Sequence, residues 1–132
     1  MAIVKDYKQL NGLALAYMGD SIYERHIREL LLAEGKTKPN HLHKTATQYV
    51  SAKAQAYILQ TMYAAGFLTE EEDRIAKRGR NAKSNSVPKN TDLQTYNLSS
   101  AFEAVIGYLY LGGESERLDE WLDLATEIIK AK

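Results

Sequence analysis

The chain has 132 residues, 45% of them hydrophobic, with 17 Lys/Arg against 17 Asp/Glu and no cysteine. That length and apolar content fit one domain over residues 1–132, and the missing thiols exclude disulfides and thiolate metal sites. No run of about 18 apolar residues could cross a membrane and no basic-then-apolar leader opens the chain, so the expected compartment is the cytoplasm.

A first helix is expected from about Leu10 to Leu32, where Leu13, Tyr17, Asp20, Glu24, Ile27 and Leu31 alternate spacings of four and three. This reading sets Asp20 on an apolar stripe, and it is the only charge in LNGLALAYMGDSIY, from Leu10 to Tyr23. Glu34 to Pro39 reads as a connector, with Asn40 as an N-cap. Residues 40–65 are helical in pattern, with a break near Tyr49-Val50-Ser51 and a stop at Gly66. Thr69 and Glu72 form a capping-box signature for a helix reaching the Arg78 region. Ser84 to Thr95 is rich in turn-formers. A further helix is expected from Asn97 to Leu111, ended by Gly112-Gly113, and Glu103 is the only charge in its LSSAFEAVIGYLYL stretch. A last amphipathic helix runs from Ser115 to Ala131, with Glu114, Glu116, Asp119, Glu120, Asp123 and Glu127 assigned to solvent. Nothing alternates as a strand, so the class is all-α.

Asp20 and Glu103 therefore stand alone in two apolar helices. A carboxylate among buried side chains loses hydration, at a cost of several kcal/mol unless a partner offsets it. Such an acid invites a metal ion, a catalytic proton, or a basic partner from elsewhere in the fold. Charge is also uneven along the chain: residues 35–91 carry net +6, while residues 1–34 sum to −1 and residues 92–132 to −5. From Arg74 to Lys89 six basic residues occur without an acid, interleaved with Gly, Asn and Ser. Guanidinium and ammonium groups bind phosphates, and amides and hydroxyls reach sugar hydroxyls and base edges, so this segment points to a polyanion. Arg78, Arg80, Asn81, Lys83 and Lys89 are the candidate contacts, with Lys44 and Lys53 as an alternative surface.

At these residues the chain resembles a known family. LALAYMGDSI (Leu13 to Ile22) is similar to the signature helix of ribonuclease III catalytic domains, and SAFEAVIG (Ser100 to Gly107) to their second acidic motif. RGRNAKSNSVPKNTDLQTY (Arg78 to Tyr96) followed by SSAFEAVIGYLYL resembles the Mini-ribonuclease III branch, which consists of the catalytic domain alone. The resemblance implies an all-α ribonuclease III endonuclease-domain bundle acting as a homodimer on double-stranded RNA with Mg²⁺. It makes Asp20 and Glu103 the catalytic and metal-binding acids. It also implies 5′-phosphate and 3′-hydroxyl ends and maturation of the 23S ribosomal RNA precursor. Two acids of the larger enzymes are replaced, by Ala16 and Ser100, as in that branch, and a separate RNA-binding domain has no room. Gly19 and Gly107 would permit close backbone approach beside the two acids.

Three functions follow for testing. The first is a Mg²⁺-dependent endoribonuclease. The second, kept open by Ala16 and Ser100, is an inactive relative that only binds RNA. The third, an all-α nucleotide pyrophosphohydrolase, needs glutamates clustered along a helix, which neither apolar helix has. Glu24 is assigned to a bridge with Arg28 rather than to a metal. His41 and His43 fall on different helical faces, and Tyr96 is the tyrosine expected near the site.

Overall fold

The structure is a computed structural model that describes residues 3–82 and 91–132. Among the described residues it contains six α-helices, a short 3-10 turn at Tyr7–Gln9 and no strand. The helices are α1 (Gly12–Ala33), α2 (Pro39–Val50), α3 (Ala52–Ala64), α4 (Glu70–Arg80), α5 (Leu93–Leu111) and α6 (Ser115–Lys130).

Local chemistry sets the helix ends, and three of them differ from expectation. α1 starts at Gly12 because the Asn11 side chain accepts the Ala14 N–H at 2.9 Å. α2 starts at Pro39, capped by Lys38 rather than Asn40, since a proline lacks the N–H that a first turn leaves unpaired. The expected break falls at Ser51, whose extended backbone (φ −63°, ψ 155°) ends α2 while its hydroxyl accepts the Ala54 N–H and starts α3. Thr69 and Glu72 form the full capping box of α4. α5 begins at Leu93, earlier than expected, because Asp92 accepts both the backbone N–H (2.8 Å) and the hydroxyl (2.9 Å) of Thr95. Side-chain capping thus turns Leu93 to Thr95 from turn into helix.

α5 lies at the centre and packs on α1, α3, α4 and α6. An aromatic cluster fills the core: Phe102 meets Tyr23 edge-on at 5.0 Å and Trp121 at 6.0 Å, contacts that add to their area burial. The Tyr23 hydroxyl donates to the Tyr49 carbonyl at 2.9 Å, tying α1 to α2. Arg117 of α6 reaches the buried Glu72 carboxylate at 2.7 and 2.8 Å and the Phe67 carbonyl at 2.7 Å, locking α6 to the start of α4.

The buried stripe of α1 also departs from expectation. It runs through Leu15, Gly19, Tyr23, Ile27 and Leu31, spaced by four, with Gly12 and Ala16 alongside. Leu13 and Tyr17 are exposed, and so is Asp20. The physical reason is Gly19: counting apolar side chains skips a glycine, yet this glycine is where α1 meets the Glu103 backbone.

Candidate active site

The site begins where α1 crosses α5. A Cβ on Gly19 would overlap the Glu103 carbonyl oxygen, and one on Gly107 would overlap the Leu15 carbonyl oxygen. The two backbones therefore touch directly, which only paired glycines allow. The residue after Gly19 is Asp20, and the helix turn before Gly107 carries Glu103, so the crossing brings their carboxyls together. They share a cavity of ≈ 300 Å³. Ala16 and Tyr17 line it from α1, Val50 and Gln55 from the α2–α3 junction, and Tyr96, Ser99 and Ser100 from α5.

Asp20 is exposed and Glu103 half-buried. Burial of Glu103 pushes its carboxyl up to about 9 from an ordinary 4.5, helped by hydrogen bonding and repulsion from Asp20. The Gln55 amide favours the ionised form and opposes this rise, while the Glu24 charge adds to it. Two carboxyls that face each other with too little water cannot both ionise readily without a cation. Glu24 is itself tied to Arg28 at 3.1 Å, in the i,i+4 bridge expected from sequence.

The donor set suits a hard cation. The carboxylates of Asp20 and Glu103 stand beside the hydroxyls of Ser99 and Ser100 and the amide of Gln55, all oxygen donors of the kind Mg²⁺ prefers. Among the described residues no three His, Asp or Glu side chains gather around one point. Ala16 and Ser100 are both buried and line the cavity with small side chains where larger acids would otherwise project.

The basic candidates separate. Arg74, Lys77, Arg78 and Arg80 lie on α4 rather than in a loop. Lys77 pairs with Asp73 at 3.0 Å and Arg74 with Glu71 at 3.7 Å. Arg78 donates to the Lys8 and Leu10 carbonyls at 2.9 and 3.1 Å, strapping the N-terminal segment to α4. Arg80 and Asn81 are exposed at the end of α4, as are Lys44 and Lys53 elsewhere. Lys83, Lys89 and most of the turn-rich segment lie outside the described residues. His41 and His43 are exposed on α2. Tyr96 lines the cavity as expected. Gln55 and Ser99 were missed, because an amide in SAKAQA and a serine in NLSS carry no charge pattern.

Comparison with known proteins agrees with this fold. The family model for the Ribonuclease III domain matches residues 13–114. A Mini-ribonuclease 3 of Enterococcus faecalis is 57% identical over 120 residues, covering 91% of each chain. One from Staphylococcus aureus is 48% identical over 125 residues, covering 95% of this chain and 93% of that one. An X-ray crystal structure of a Fusobacterium nucleatum protein superposes with a TM-score of 0.80 at 32% identity, covering 94% of this chain and 98% of the other. The chain belongs to the ribonuclease III family of endoribonucleases, on its Mini-ribonuclease 3 branch.

Proposed function

We propose that the protein is a Mg²⁺-dependent endoribonuclease that cuts double-stranded RNA as a homodimer and matures the 23S ribosomal RNA precursor. The observation that carries this reading is the facing of Asp20 and Glu103 at the Gly19–Gly107 crossing. Family membership supports the RNA-cutting part.

Asp20 and Glu103 would hold the cation, Asp20 from the open side and Glu103 from the half-buried side. When bound, Mg²⁺ lowers the pKa of a coordinated water and offsets charge on the phosphate under attack. Glu103, whose carboxyl is pushed up to about 9, would have to give up its proton to serve as a ligand. Asp20 at the cavity mouth leaves the site open to a phosphate approaching from solvent. Exposed Tyr17, beside Asp20 on the same rim, offers an apolar edge against a sugar or base. Arg80 and Asn81 provide phosphate and sugar contacts on α4, with Lys83 and Lys89 following in sequence.

One chain presents one carboxylate pair, whereas duplex cleavage needs a cut on each strand, which suits a two-fold dimer. Sedimentation at micromolar concentration is expected to give a dimer. The direct test of function is incubation of purified protein with duplex and single-stranded RNA, with Mg²⁺ or with a chelator. Duplex cleavage with Mg²⁺ alone, leaving 5′-phosphates, supports the reading; cleavage in chelator, or of single strands only, overturns it. The lack of any third clustered acid among the described residues favours the second reading, a catalytically inactive RNA-binding protein. Duplex binding without cleavage at any Mg²⁺ concentration would establish it.

A further inference from the structure

The α2–α3 junction places an uncharged amide, Gln55, beside the two carboxyls, where it favours the ionised form of Glu103. Because the chain turns at Ser51, the Val50 carbonyl loses a helical partner, and the Gln55 side chain supplies one: its Nε2 donates to Val50 O at 3.0 Å. This bond fixes the amide's orientation, since a flipped amide would set two oxygens against each other. Gln55 is only 2% exposed, and its Oε1 is buried without a hydrogen-bond partner. Leaving a buried acceptor unpaired costs about 1–3 kcal/mol, so an orphan of this kind calls for a missing donor. Gln55 lines the same cavity as Asp20 and Glu103. A cation seated between two carboxylates retains several waters, and those waters are hydrogen-bond donors.

We infer that Gln55 is a positioning residue of the cation site, its Nε2 anchored on Val50 and its Oε1 accepting a hydrogen bond from a cation-bound water. The inference rests on the proposed cation role of Asp20 and Glu103. It explains why an uncharged amide, rather than another acid, sits there: it orients a water without adding a third negative charge.

The test is a calorimetric titration of the purified full chain with Mg²⁺ in the absence of RNA, repeated for Gln55→Leu, Gln55→Glu and Asp20→Asn. Outer partners of metal-bound groups typically contribute 10–100-fold in affinity, so Gln55→Leu is expected to bind Mg²⁺ at least about 10-fold more weakly. With RNA present, it should need correspondingly more Mg²⁺ for half-maximal cleavage yet recover the parental kcat at saturating Mg²⁺. Gln55→Glu keeps an oxygen acceptor but loses the donor to Val50. It should therefore lose metal-free stability much as Gln55→Leu does while binding Mg²⁺ at least as tightly as the parent. Parental Mg²⁺ affinity in Gln55→Leu, or equal weakening in both Gln55 variants, would overturn the inference and leave Gln55 a purely structural cap. Should Gln55→Leu fail to fold, weakened Mg²⁺ binding by Gln55→Glu alone would overturn it. Asp20→Asn separates the two levels: unchanged Mg²⁺ affinity there would overturn the cation reading itself, whatever Gln55 does.

Discussion

Replacing Glu103 with Gln should make the metal-free protein more stable at neutral pH, although it removes a group the site needs. The Glu103 carboxyl ionises near its ordinary 4.5 in the unfolded chain but is pushed up to about 9 in the folded one, first by burial and then by Asp20. Between those values the folded state holds a proton that the unfolded state has released. The parent's stability is thus fully present below the unfolded value and falls as pH rises toward the folded one. From 4.5 to neutrality, at about 1.4 kcal/mol per pH unit, the penalty is at most about 3.5 kcal/mol, and water reaching the half-buried carboxyl reduces it to about 1–2 kcal/mol. Glutamine has no proton to hold and escapes this penalty. For a chain of this size, each 1 kcal/mol moves Tm by about 3–5 °C, so Glu103→Gln should melt about 3–10 °C higher in chelator near neutral pH. Near pH 5 the difference should shrink to about 1–2 °C, because little of the penalty has yet developed. Saturating Mg²⁺ should reverse the order: a ligand at about 100-fold its Kd adds about 2.7 kcal/mol to the parent alone. Scanning fluorimetry at the two pH values, with chelator and with Mg²⁺, reads all of this. Equal parental and variant Tm at both pH values in chelator would refute the reasoning.

Arg117→Ala strands the Glu72 carboxylate, which is 3% exposed, and should cost about 3–5 kcal/mol of stability in denaturant unfolding. Burial pushes Glu72 up, but Arg117 and the Thr69 N–H outweigh it and hold the carboxyl below its ordinary value. The stability that this pair supplies is present above that ordinary value and lost on acidification, opposite in sign to Glu103. Gly19→Ala drives a methyl into the Glu103 carbonyl and should lower stability by about 1–3 kcal/mol or more; Tm and cleavage should fall together. Arg78→Ala and Arg80→Ala should differ. Loss of the Arg78 strap on the Lys8 and Leu10 carbonyls should lower Tm. Arg80→Ala should leave Tm alone and flatten the plot of log RNA affinity against log salt by somewhat under about one unit.

The sequence carried the helices because apolar spacing, the Thr69–Glu72 box and the flanking glycines are local signals. It missed what depends on a partner distant in the chain. Arg117 drew no assignment from the sequence, because its fork on Glu72 appears only when α6 folds over α4. Asp92 as the cap of α5 was hidden by the turn-forming residues around it. For the site, two lone acids in apolar helices singled out Asp20 and Glu103, and the fold brings their carboxyls together. The reason offered for Asp20 failed: it is exposed beside Gly19, not embedded in an apolar stripe. Arg78 looked like a phosphate ligand because charge is visible in sequence and backbone carbonyls are not. Gln55 was illegible for the same reason, since its role rests on a helix break and an unpartnered oxygen rather than on a residue pattern.

The central claim is that Asp20 and Glu103 act together in cutting duplex RNA. Its most direct measurement is cleavage of one long duplex with Mg²⁺ by the parent, Asp20→Asn and Glu103→Gln, with RNA affinity determined in parallel. The account predicts short duplex products from the parent alone, with both variants folded and still binding RNA. Near-parental cleavage by both variants would contradict it.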